Sequence, residues 1–109
     1  MALSHAKVNE LIPIHPLGPA ISSAKTTTLL KTKSLEIIRI VLPTGKKIPA
    51  HQVSGETTVQ CLEGRVALQA GDSVHHLETG NLVCLGGGCP HALQGVSDAT
   101  VLVTIVLGK

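Results

Sequence analysis

The 109-residue chain contains no phenylalanine, tyrosine or tryptophan. Without aromatic faces it has no platform on which bases or sugar rings stack. Charge is sparse as well: nine Lys and Arg stand against seven Asp and Glu, for a net of +2. The cations are scattered, and Lys46-Lys47 is the only adjacent basic pair. No basic stripe and no interleaved aromatics leave nothing with which to bind nucleic acid. No apolar run approaches the ~20 residues of a membrane span. No segment holds a helical period with capping residues at its ends. Three cysteines cannot all pair within one chain. The first residues lack the charged-then-apolar order of an export signal. The thiols are therefore expected to be reduced, in a cytoplasmic protein.

What is present is a chain that is 43% hydrophobic, its apolar content coming almost wholly from Leu, Val, Ile and Ala, with 11 glycines and six prolines as punctuation. At this length it is one domain with a single core. Residues 1–27 read as an arm. The run 8–14 is compatible with a short edge strand, because Pro13 and Pro16 forbid a central one. From residue 28 onward the chain breaks into roughly nine short apolar runs, with glycine-bearing turns about every eight to twelve residues, as in a β-sandwich or closed barrel. Six of the nine residues in the run 34–42 are apolar and they fall on both pleat faces, so both faces are expected to be covered. Arg39 interrupts it, and is read as lying near a rim with its stem buried and its head in water.

Two glycine-framed stretches carry the candidate chemistry. The first runs from Gly45 through His51 to Gly64. The second runs from Gly80 through Gly88 and Pro90 to His91. Their spacing resembles the two motifs of the cupins, small double-stranded β-helix barrels. In the first motif Gly45, His51 and Gly64 match, while Val53 stands in the place of a second histidine and Thr57 in that of a glutamate. In the second motif Gly80, Gly88, Pro90 and His91 match, while Gly86 replaces a proline and Gly95 an asparagine. The resemblance spans about residues 34–107. It implies an all-β, jelly-roll-like barrel over 28–109, and a homodimer.

In that family three histidines and a glutamate hold one divalent metal inside the barrel, with open positions left for substrate. The resemblance leaves this chain two of those four ligands, His51 and His91. Val53 cannot ligate, and the neutral hydroxyl of Thr57 is a poor donor. Glu56 is one residue out of register, so a regular strand points it away from His51. Cys61, His75 and Cys89 are further candidates to replace the missing ligands. A metal (Zn, Ni, Fe or Mn) is thus expected to be absent or partly occupied, and no organic cofactor is expected. Positions on the inward pleat include Val53, Thr57, Val59, Cys61, Val83, Leu85 and Leu93. With His51 and His91 they would line a mostly apolar pocket for a small molecule. Three readings remain. The first is a binding or sensing module, or an enzyme of unproven activity. The second is a metal-dependent dioxygenase or isomerase that uses His51, His91 and a third ligand from outside the motifs. The third is a purely structural dimer with a filled barrel.

Overall fold

A chain of short β-branched and leucine-rich runs can bury its apolar faces only by stacking one sheet on another. The computed structural model, which describes residues 5–107, takes this form. Among the described residues nine strands follow a 3-10 turn at Gly18–Ser23: β1 (Thr27–Lys31), β2 (Leu35–Leu42), β3 (Lys47–His51), β4 (Thr57–Glu63), β5 (Arg65–Ala70), β6 (Ser73–Glu78), β7 (Leu82–Leu85), β8 (His91–Gly95) and β9 (Ala99–Val106). They form two antiparallel sheets, one in the order β1-β2-β9-β4-β7 and the other in the order β3-β8-β5-β6. This is the all-β architecture expected from the spacing of the apolar runs, in the two-sheet form that the family resemblance implies.

The centre of the larger sheet is its most regular part. β2 and β9 pair without a break from Leu35↔Val106 to Leu42↔Ala99. β9 then pairs with β4 from Thr57↔Ile105 to Cys61↔Val101. Because side chains alternate across the pleat, one face of these strands presents Ile40, Leu42, Val59, Cys61, Val101 and Val103 to the interior. The smaller sheet answers with Val66, Leu68, Leu77 and Leu93. Leu42, Val59, Val66, Leu68 and Val101 are fully buried. Each such side chain contributes about 1.5–3 kcal/mol by leaving water. The tight turn between β4 and β5 requires Gly64. Its φ is +81°, and a Cβ there would run into the backbone of Asp98 and Ala99.

The edge strand compatible with residues 8–14 is not formed. The arm is irregular from residue 5 to the 3-10 turn. Prolines 13 and 16 remove ladder donors; one backbone bond, from the Ala6 N–H to the Leu29 carbonyl at 2.8 Å, ties the start of the arm to β1, and side chains hold the rest. It lies on the outer face of the larger sheet. Ile21 on the arm and Val41 on β2 are 3% and 4% exposed, and neither belongs to the central core cluster. Arg39 donates to the Pro13 and His15 carbonyls, at 3.5 and 3.2 Å. Its head therefore binds the arm as well as meeting solvent, which differs from the simple rim position read from sequence. Glu63 takes the other end. Its carboxylate accepts from the backbone N–H of Leu17 (2.8 Å) and Gly18 (3.0 Å), and from the Thr100 hydroxyl (2.9 Å).

Glu63 reaches the outer face because the β4–β9 register shifts between Cys61 and Glu63, setting Glu63 opposite Thr100. Burial on its own would raise the Glu63 pKa. The hydrogen bonds from Leu17, Gly18 and Thr100, with the nearby Arg39 charge, outweigh it and hold the carboxyl below its ordinary 4.5. A carboxyl lowered in the folded state stabilises fully above the unfolded value, and loses that contribution as pH falls through the folded one. Thermal denaturation should therefore show the wild type losing more stability than Glu63→Gln as the pH is lowered from about 5 to about 3. At neutral pH, Glu63→Ala should cost about 1–3 kcal/mol, since it orphans donors on the arm.

Candidate functional site

The site begins with a break in register. β3 pairs with β8 at Ile48↔Leu93 and again at His51↔His91, with a shift between the two pairs. Regular pairing would set Ala50 opposite His91. The extra residue in the Pro49-Ala50 stretch brings His51 there instead. His91 stands two residues before the core residue Leu93 on the same strand and is itself 5% exposed. His51 is solvent-exposed. The two ring centroids are 4.4 Å apart and the planes are tilted by 58°.

Each ring is held at Nδ1 by a carbonyl two residues before it. His91 Nδ1 lies 3.0 Å from the Cys89 oxygen, and His51 Nδ1 lies 3.3 Å from the Pro49 oxygen. A carbonyl only accepts, so Nδ1 is the protonated nitrogen in both neutral rings and Nε2 carries the lone pair. The pair thus offers two acceptors to a molecule that approaches the Nε2 side of the rings.

Thr57, at the start of β4, pairs with Leu85 on β7 and Ile105 on β9 and is 2% exposed. Its hydroxyl oxygen is buried and has no hydrogen-bond partner among the described residues. Such an atom is costly unless a ligand or water meets it. Val53 lies in the loop after His51, half-buried. Val59, Cys61, Leu85 and Leu93 belong to the packed core cluster, and Val83 packs against it.

Cys61 is not beside the histidines. It lies toward the Glu63 end of β4, where its thiol donates to the Glu63 and Gly64 carbonyls, both at 3.4 Å. Burial pushes its pKa up, only partly offset by the bond to Glu63, and the carboxylates of Glu63 and Glu78 add to the rise. Glu56 is exposed and precedes β4, so it does not turn in to meet the rings. His75 is exposed on β6, and Cys89 is half-buried in the loop before β8.

Among the described residues no three His, Cys, Asp or Glu side chains are grouped so as to hold a metal ion. Two imidazoles fall short of the three or four protein ligands of a tight transition-metal centre. This donor set does not fit a resident metal.

Two features went unread in the sequence. One is Glu63 as the anchor of the arm, which depends on a bulge that no residue pattern announces. The other is a groove of about 320 Å³ on the outer side of the smaller sheet, with Lys47, Gln69, Val74, Ala92 and Gln94 among its lining residues. Ala67 and Ala92, small residues on adjacent strands, leave room for it.

The Cupin domain family matches residues 38–107, well over half of the chain. The chain is a cupin. No curated protein sequence matches it. Solved structures similar to this cupin include a conserved protein of unknown function from Streptococcus pyogenes, at 20% identity and a TM-score of 0.76. That match covers 100% of this chain and 99% of the other. A cupin superfamily protein from Desulfitobacterium hafniense is similar at 17% identity and a TM-score of 0.77, over 94% of this chain and 100% of that one. A predicted oxalate decarboxylase from Thermotoga maritima is similar at 21% identity and a TM-score of 0.68, over 76% and 79% of the two chains. At these identities the likeness establishes the fold. No helix among the described residues is long and apolar enough to cross a membrane.

The three free thiols of this cupin differ in burial, and alkylation followed by mass spectrometry should rank them. Cys84 is exposed and reacts first, half-buried Cys89 follows, and buried Cys61 reacts only when the barrel unfolds. Early labelling of Cys61 would show that β4 is not packed as described.

Proposed function

We propose that this cupin binds a small organic molecule at the His51–His91 pair, without a resident metal. The observation that carries this reading is the pairing itself. Two imidazoles lie 4.4 Å apart, each secured at Nδ1, with both Nε2 atoms left to meet a ligand. Each neutral ring accepts a hydrogen bond from a ligand hydroxyl or acid proton, and a ring that takes up a proton attracts a carboxylate. Val53, half-buried in the loop after His51, supplies apolar surface, and the unpartnered Thr57 hydroxyl is assigned to the same ligand as a third polar group. A short hydroxy acid matches this set. The metal-dependent reading, a dioxygenase or isomerase, needs a third protein ligand, and no grouping among the described residues supports one. Homodimerisation, which the family resemblance implies, is part of the same reading.

Titration with a panel of short hydroxy acids, followed by the imidazole carbon-bound proton signals, tests the proposal. Binding should shift His51 and His91 together. His51→Ala or His91→Ala should each weaken it about tenfold or more, the loss of one charge-assisted hydrogen bond. Thr57→Val should also weaken binding while leaving stability unchanged or raised, because it removes an unpaired buried hydroxyl. Binding that is indifferent to both histidine substitutions would overturn the reading.

A further inference from the structure

The two histidines sit where their strands meet the loops at one end of the barrel. His51 is the last residue of β3 and His91 the first of β8. The chain leaves His51 through loop 52–56 and arrives at His91 through loop 86–90. These two loops touch each other in two ways. The Gly88 N–H donates to the Val53 carbonyl at 2.7 Å. Beside it, Gly87 approaches Ser54 so closely that a Cβ on Gly87 would overlap the Ser54 carbonyl oxygen. Gly88 itself has a φ of +77°, a conformation that a side chain rarely tolerates. Two further backbone bonds shape the second loop. Cys89 N–H donates to the Gly86 carbonyl at 3.2 Å, and Gly71 N–H, from the β5–β6 turn, donates to the Pro90 carbonyl at 3.0 Å. The loop's Cys89 carbonyl is the group that accepts from His91 Nδ1.

We propose that Gly87 and Gly88 clasp loop 86–90 onto loop 52–56, and that this clasp positions His91 and sets which molecules reach it. The inference rests on the reading of the histidine pair as the binding site, and it names the residues that determine access and orientation there. The physical chain is short. The clasp fixes the second loop, the loop fixes the Cys89 carbonyl, and that carbonyl fixes the tautomer and plane of the His91 ring. With the clasp closed His91 is almost wholly buried while its partner His51 is exposed. A ligand with a slender polar end reaches the buried ring past His51. A bulky ligand requires the loops to part. Gly87 and Gly88 are therefore specificity-determining positions, and Gly87 and Gly88 act on His91 through the backbone rather than by touching the ligand.

Gly86 provides the internal comparison. It is in the same loop, its backbone is not in the left-handed region, and a Cβ there would have nothing within 4 Å. An alanine at Gly86 therefore leaves the clasp alone, whereas an alanine at Gly87 forces the loops apart. Two measurements on the full chain, neither of which uses a ligand, separate the cases. One is the rate of carbethoxylation of each histidine by diethyl pyrocarbonate, read by peptide mass spectrometry. The other is the imidazole nitrogen chemical shift, which reports the tautomer.

The wild type and Gly86→Ala should both show slow modification of His91 and an Nδ1–H tautomer. Gly87→Ala should raise the His91 rate about tenfold, the change expected for a local opening that strain makes one decade more populated. It should also convert the His91 ring to a mixture of tautomers. The exposed His5, His15, His75 and His76 serve as references within each molecule. Their rates stay constant if the barrel remains folded. Should Gly87→Ala fail to fold, Gly88→Ala tests the same clasp through backbone strain without a clash, and the same rise at His91 is expected. Equal His91 rates and tautomers in Gly86→Ala and the clasp variant would overturn the proposal. Because no ligand enters these measurements, that failure is distinct from a failure of the histidine pair to bind hydroxy acids.

Discussion

Strand pairing in this protein is governed by a period of two, and the candidate site lies where that period is interrupted. Along β2 and β9 and the body of β4 the pairing is unbroken, and alternate side chains from Ile40 to Leu42, Val59 to Cys61 and Val101 to Val103 enter the core. A one-residue slip anywhere in that region would turn the whole apolar set to solvent. The interruptions lie elsewhere. At the end of β3 an extra residue sets His51 opposite His91. At the end of β4 a shift sets Glu63 opposite Thr100, where it binds the arm. The first interruption makes the site and the second fastens the covering of the larger sheet. The regular ladders between them keep both in place.

A core without aromatics shapes the site in a second way. Leucine, valine, alanine and one cysteine fill the interior with small branched pieces, and several of them are fully buried. Such pieces pack to crystalline density without large gaps. Val59, Cys61, Leu85 and Leu93 accordingly serve as packing. The polar chemistry collects where the end of β3 meets the start of β8 and sets His51 against His91. Replacing the metal ligands of the family pattern by Val53 and Thr57 suits this arrangement. Valine adds apolar surface, and threonine leaves one buried hydroxyl whose need for a partner points toward a ligand.

Much of this was legible in the residues themselves. The glycine spacing from Gly45 to Gly64 and from Gly80 to His91 carried the fold, and it placed His51 and His91 together before any coordinates. The expectation that Glu56 stays out of the site also followed from its register. What the sequence did not disclose arises from the same physics. A pattern read with a strict period of two assumes a regular pleat, so it sets Glu63 on the same face as Cys61 and gives no sign of its bond to the arm. The arm itself has a weak pattern and forms no strand at residues 8–14; Arg39 binds it at Pro13 and His15, and Glu63 binds it at Leu17 and Gly18. Cys61 was read as a neighbour of the histidines from its inward parity alone. Parity fixes a face but not a position along the strand, and the thiol lies at the other end of β4.

The central claim is that His51 and His91 form a binding site completed by an organic ligand rather than by a resident metal. The most direct measurement is a crystal structure with anomalous scattering data collected at transition-metal edges. The account predicts density at hydrogen-bond distance from one or both Nε2 atoms, with no anomalous peak between the rings. An anomalous peak bonded to His51, His91 and a third protein side chain would contradict it.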